Sequence, residues 1–94
     1  MLDASRTQVQ NKILMYTQRI CREEIFGPVV AICRFSTEQE ALELANDTTY
    51  GLGAAVFTTN LERAHRVAAE IEAGMVWINS SQDCDPRVPF GGVK

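Results

Sequence analysis

The chain has 94 residues, 46% of them hydrophobic and 22% charged, which is room for one globular domain with a small core and not the composition of a disordered chain. Twelve acids against nine bases give a net charge of −3 with no block of like charge, which excludes nucleic-acid binding through a basic face. No run nears the roughly 18 apolar residues of a membrane span, and the first 20 residues lack the apolar stretch of a secretory signal, so the expectation is a cytoplasmic chain with no membrane partner.

Residues 1–19 are the least patterned. Val9, Ile13, Tyr16 and Ile20 recur at spacings of 4, 3 and 4, which predicts a weakly amphipathic N-terminal helix. From Glu23 the pattern sharpens. Residues 29–35, VVAICRF, form a β-branched apolar run behind Gly27 and Pro28, with apolar residues on both alternating faces. This predicts a strand covered on both sides. Thr37 followed three residues later by Glu40 reads as a capping box. Ala41, Leu44 and Ala45 supply the apolar stripe of the helix it starts, and the polar run from Asn46 to Thr49 ends it.

After the turn at 50–53, residues 54–58 read as a second buried strand. Asn60 is a good cap for the next helix. Leu61, Ala64, Val67, Ala68 and Ile71 give that helix its stripe, with Glu62 and Arg66 as an i,i+4 pair. Gly74 stands where a left-handed helix cap belongs, and residues 75–79 read as a third strand. The remainder, 80–94, is loop-like. Strands joined by crossover helices of this length are parallel, so the expected fold is α/β, a three-stranded parallel βαβαβ unit. Two helices on one side leave the other face of such a sheet to be covered by the N-terminal helix, by another chain, or by further protein.

Catalytic signals are sparse. Cys21, Cys33 and Cys84 form no CxxC pair, and His65 has no ligand partner at helical spacing, so no metal is expected. Cys33 falls inside the apolar run, where burial raises a thiol's pKa. Cys84 is flanked by Asp83 and Asp85, a poor setting for a thiolate. No catalytic residue is assigned. Two segments invite a ligand. Glu23 to Val29 sets an acid and an aromatic ring against a Gly-Pro turn. A carboxylate there can accept from a sugar diol and a ring can pack on it, or the two can be a solvated acid and a core Phe. In Pro89 to Gly92, Phe90 is held between proline and glycines, as a pocket wall or an anchored loop.

Five pieces in register resemble the aldehyde dehydrogenase superfamily. They are EEIFGPV at 23–29, ANDTTYGL at 45–52, AVFT at 55–58, AGMVWIN at 73–79 and PFGGVK at 89–94. The resemblance covers about residues 20–94 and leaves 1–19 outside it. It implies the late portion of the catalytic domain of an enzyme that oxidises an aldehyde to a carboxylic acid with NAD or NADP. A cysteine thiolate attacks the aldehyde and a nicotinamide accepts the hydride. By the same resemblance Glu24 hydrogen-bonds the nicotinamide ribose and Phe26 packs near it. Phe90 is a wall of the aldehyde tunnel, and Asn79 with residues 80–88 lies where the family varies its substrate lining. The family's nucleophile stands upstream of the 23–29 motif in a Gly-Gln-x-Cys context that nothing here matches, and the general-base Glu is absent too. The isolated chain is therefore expected to be inactive. The alternative is a non-catalytic module that pairs with a full-length dehydrogenase subunit.

Overall fold

A computed structural model describes residues 19–94. The helix expected from Val9 to Ile20 lies outside the described residues as far as residue 18. The chain divides into two units, Met1–Arg34 and Phe35–Lys94, and each is described by itself.

In the first unit, α1 (Arg19–Arg22) is a single turn. Arg19 pairs with Glu23 at 3.0 Å on the surface, and the Glu23 N–H donates to the Arg19 carbonyl at 2.8 Å. Two three-residue turns follow. The Gly27 N–H donates to the Ile25 carbonyl at 2.9 Å and the Val29 N–H to the Gly27 carbonyl at 2.8 Å, so Phe26 and Pro28 sit at the two apices. The strand expected over 29–35 does not form. Val29, Val30 and Ile32 are exposed. A strand exists only where its backbone groups find a ladder, and the sheet among the described residues has two strands, neither of them here. Cys33 is accordingly exposed rather than buried in a strand, and Cys21 is half-buried. Partial desolvation, reinforced by the neighbouring Cys21 thiol, pushes the Cys33 thiol up.

The second unit runs α2 (Glu38–Asn46), β1 (Gly53–Val56), α3 (Leu61–Glu70) and β2 (Met75–Ile78). The strands are parallel, with Gly53 opposite Met75 and Val56 opposite Ile78. The fold is α/β with two parallel strands where three were expected. Both helices start as their sequences predict. Thr37 Oγ1 accepts from the Glu40 N–H at 3.2 Å, and Glu40 reaches back to the Ser36 N–H at 2.7 Å, one residue earlier than the usual box. Asn60 Oδ1 accepts from the Arg63 N–H at 3.0 Å. The core is very small. Leu42 is 6% exposed and Ala64 1% exposed, and no other described apolar residue is fully buried. Ala64 belongs to the predicted stripe, whereas Leu42 takes the place expected of Ala45, which is exposed. Alternation along β1 leaves Gly53 and Ala55 exposed, so one side of the strand is uncovered. No described helix is long and apolar enough to cross a membrane.

Polar bonds tie the two helices side by side. At their starts, Glu38 pairs with Arg66 and, at 3.1 Å, with Arg63, while Arg66 also holds Glu62 at 2.8 Å. At their ends, the Asn46 amide donates to the Glu70 carbonyl at 3.0 Å and accepts from the Glu72 N–H at 2.9 Å. Start meets start and end meets end, so α2 and α3 run parallel like the strands. Gly74 is not the left-handed cap the sequence suggested. No described glycine has positive φ, and α3 already ends at Glu70 with Ile71 as its cap. Gly74 is required for a different reason: a Cβ there would lie 1.6 Å from the Gly91 carbonyl oxygen.

Candidate functional site

Glu24 and Phe26 flank Ile25 in the first unit, just ahead of the Gly-Pro turn. Apical placement in its three-residue turn pushes the Phe26 ring outward, and it is 93% exposed. An exposed ring two residues from a carboxylate offers a packing surface and a hydrogen-bond acceptor on one short segment.

Phe90 lies in the second unit and is 62% exposed. It lines two cavities, of about 500 and 510 Å³. One is floored by Gly53, Ala55 and Trp77; the other is walled by Met75, Pro86 and Val88. Cys84 lines both with it. The acidic neighbours of Cys84 suit no thiolate, and its spacing from Phe90 in the sequence carries no signal of contact. The loop that carries Cys84 is firmly held. The Trp77 indole N–H donates to the Asp83 carbonyl at 2.7 Å. The indole itself lies over Gly53, where a Cβ would meet the ring at 2.9 Å. Gln82 adopts a left-handed φ of 65°. Asp85 accepts from Arg87 at 2.6 and 2.9 Å, and these bonds hold its carboxyl below the usual carboxylate range.

Asn79 is placed elsewhere. It follows β2 with a φ of 55°, a conformation asparagine tolerates better than most residues. Its Oδ1 accepts from the Thr58 N–H at 2.9 Å and its Nδ2 donates to the Thr58 carbonyl at 3.0 Å. The side-chain amide thus continues the ladder one step past the strand, and its polar atoms are engaged. Asn79 borders a third cavity, of about 530 Å³, with Phe57, Thr58, Leu61 and Ile78 at the carboxyl ends of the strands. The structure therefore brings Phe90 and Cys84 together and puts Asn79 on a separate cavity. Among the described residues no group of three or more His, Cys, Asp or Glu could hold a metal ion.

Comparison with known proteins gives a consistent result. The profile of the Aldehyde dehydrogenase family matches residues 13–94. An aldehyde dehydrogenase-like protein of Schizosaccharomyces pombe is 65% identical over 75 residues, which is 80% of this chain and 15% of that protein. The NADP/NAD-dependent aldehyde dehydrogenase PuuC of Escherichia coli is 56% identical over 75 residues, again 80% of this chain and 15% of the relative. Among solved structures, the NAD+ complex of an aldehyde dehydrogenase from Bacillus cereus superposes with a TM-score of 0.84 at 43% identity, over 86% of this chain and 16% of that one. The chain thus spans about 15% of the length of the curated relatives it matches.

Proposed function

Because the chain belongs to the aldehyde dehydrogenase family, we propose that it supplies the late portion of a catalytic domain that oxidises an aldehyde with NAD or NADP. In this reading Glu24 accepts from the nicotinamide ribose diol and Phe26 packs against the sugar. Phe90 forms a wall of the aldehyde tunnel, and Asn79, on its own cavity in this chain, stands where the family varies its substrate lining. A nicotinamide held there would supply the hydride acceptor. This chain's own residues bind and orient, and exclude water through the Phe90 ring. The observation that carries the reading is Phe90 itself, an exposed ring at two cavities in a relative of enzymes whose names specify NADP and NAD.

Two finer points belong to the same proposal. Residues 29–35 carry the pattern of a central parallel strand and add to the sheet as its third strand when a complete domain surrounds them. The 94 residues alone do not turn over, because no residue among them matches the family's Gly-Gln-x-Cys nucleophile.

The test has two arms. Purified chain incubated with NAD or NADP and an aldehyde is expected to form no reduced nicotinamide above a heat-treated control; formation of it contradicts the inactivity. The second arm grafts residues 20–94 into PuuC in place of its matching segment. Glu24→Ala in that chimera is expected to raise KM for the cofactor about tenfold, the size of a lost hydrogen bond. Phe90→Ala is expected to change KM for the aldehyde and leave the cofactor KM alone. A folded chimera in which neither substitution moves either constant overturns the assignments.

A non-catalytic pairing with a full-length subunit is the second reading. It is favoured by the exposed apolar residues Leu52, Phe57 and Leu61 of the second unit, since uncovered faces invite association. Co-purification of tagged chain with a full-length subunit supports it, and recovery of the chain alone counts against it.

A further inference from the structure

Phe90 does not hold its own position. The segment that carries it, residues 89–94, belongs to no helix or strand, and two of its residues are glycines. Three contacts fix its course. The Gly91 carbonyl packs into the space a side chain on Gly74 would fill. The Val93 N–H donates to the Gly51 carbonyl at 3.1 Å. The third contact is Lys94. Its ammonium donates to the carbonyls of Asn46 at 2.8 Å and Thr48 at 3.1 Å, and pairs with the Glu72 carboxylate at 2.8 Å. An ammonium has three protons, and here it meets three acceptors. Its side chain is 21% exposed, low for a lysine.

The acceptors explain why a cation belongs there. Asn46 is the last residue of α2, where carbonyls lack intrahelical partners and the negative end of the helix dipole favours positive charge. Asn46 also clamps the end of α3 through its side chain. Lys94 therefore ties the Phe90 segment to the point where both helices end, using contacts 46 and 48 residues away in sequence.

We propose that Lys94 is a positioning residue: its ammonium latches the 89–94 segment onto the ends of α2 and α3 and thereby sets where the Phe90 ring stands. Through Phe90 the latch governs the width of the aldehyde tunnel, a consequence that rests on the role proposed above for that ring. The placement of the ring is measured without any aldehyde, so failure of the latch and failure of the tunnel assignment are separate results.

The full chain labelled with 4-fluorophenylalanine reports all four phenylalanines by 19F NMR, with Phe90→Leu assigning the Phe90 signal and Phe57 serving as the control within the same unit. In Lys94→Met the Phe90 resonance is expected to move toward the position of the free amino acid while the Phe57 resonance stays. Lys94→Arg, which keeps the charge, is expected to restore part of the shift. An unmoved Phe90 resonance in Lys94→Met overturns the latch. A Phe57 shift as large as that of Phe90 also overturns it, because Lys94 is then a strut for the whole unit. If Lys94→Met does not fold, Glu72→Ala removes one acceptor and is judged by the same comparison.

Discussion

Residues 29–35 and residues 53–56 are both short apolar runs, and the wrong one by propensity is the strand. VVAICRF is rich in the β-branched and aromatic residues that favour sheets, whereas β1 is Gly-Ala-Ala-Val, built largely from residues depleted in them. β1 forms because β2 lies beside it in register and α3 packs on both strands. The 29–35 run has no strand beside it among the described residues, so its side chains stay exposed. Strand formation is settled by the partner, and intrinsic preference only selects among segments that have one.

The contrast predicts where substitutions hurt. The largest effect is expected from Gly74→Ala, which drives a methyl into the Gly91 carbonyl. Overpacking against backbone is expected to cost about 3 kcal/mol, read as a lower urea midpoint with unchanged slope. Asn79→Ala loses both bonds to Thr58 and leaves alanine at positive φ, for about 2 kcal/mol. Asn79→Gly, free of the backbone strain, is expected to recover part of that. Asn46→Ala removes the bonds to Glu70 and Glu72, for about 1.5 kcal/mol by the same measurement.

Acid titration gives a smaller and more specific effect. The bond from Arg66, with the charges of Arg66 and Arg63, holds the Glu38 carboxyl below the usual carboxylate range in the folded chain. The folded state therefore binds the proton more weakly than the unfolded one. The stabilisation is fully present above the unfolded carboxylate pKa and is lost as pH falls through the lower folded value. Glu38→Gln is expected to lower the melting temperature slightly at neutral pH, where the stabilisation is present, and to converge with the parent chain in acid, so that the fall across that window is flatter. The pair is exposed, so salt is expected to blunt the effect. The smallest change is expected in the first unit. Val30 is 68% exposed, and Val30→Thr is expected to shift stability by less than about 0.5 kcal/mol. A larger loss means that residues 29–35 are packed after all.

What the sequence disclosed followed the range of the interactions. Thr37 and Asn60 were readable as caps because the cap rule spans three residues. The parallel strands were readable from their crossover helix. Gly74 was recognised as a required glycine but for the wrong reason, since the chain that crowds it returns from Gly91. Leu42 was missed because Ala41, Leu44 and Ala45 make an equally good stripe until the partner face is known. The Asn79–Thr58 ladder, the Asn46 clamp and the Lys94 contacts join residues 21 to 48 positions apart, beyond any local pattern. Glu24, Phe26 and Phe90 came from a family resemblance rather than from periodicity. Cys84 became visible only when the fold set it beside Phe90.

Amide hydrogen exchange on the intact chain tests the contrast most directly. The Met75 and Asn79 N–H groups, bonded to the Leu52 and Val56 carbonyls at 3.0 and 2.8 Å, are expected to be the slowest to exchange, while Val30, Ala31 and Ile32 exchange at rates close to those of an unstructured peptide. Protection of residues 30–32 comparable to that of Met75 and Asn79 contradicts the account, because it means that the run has found a ladder within these 94 residues.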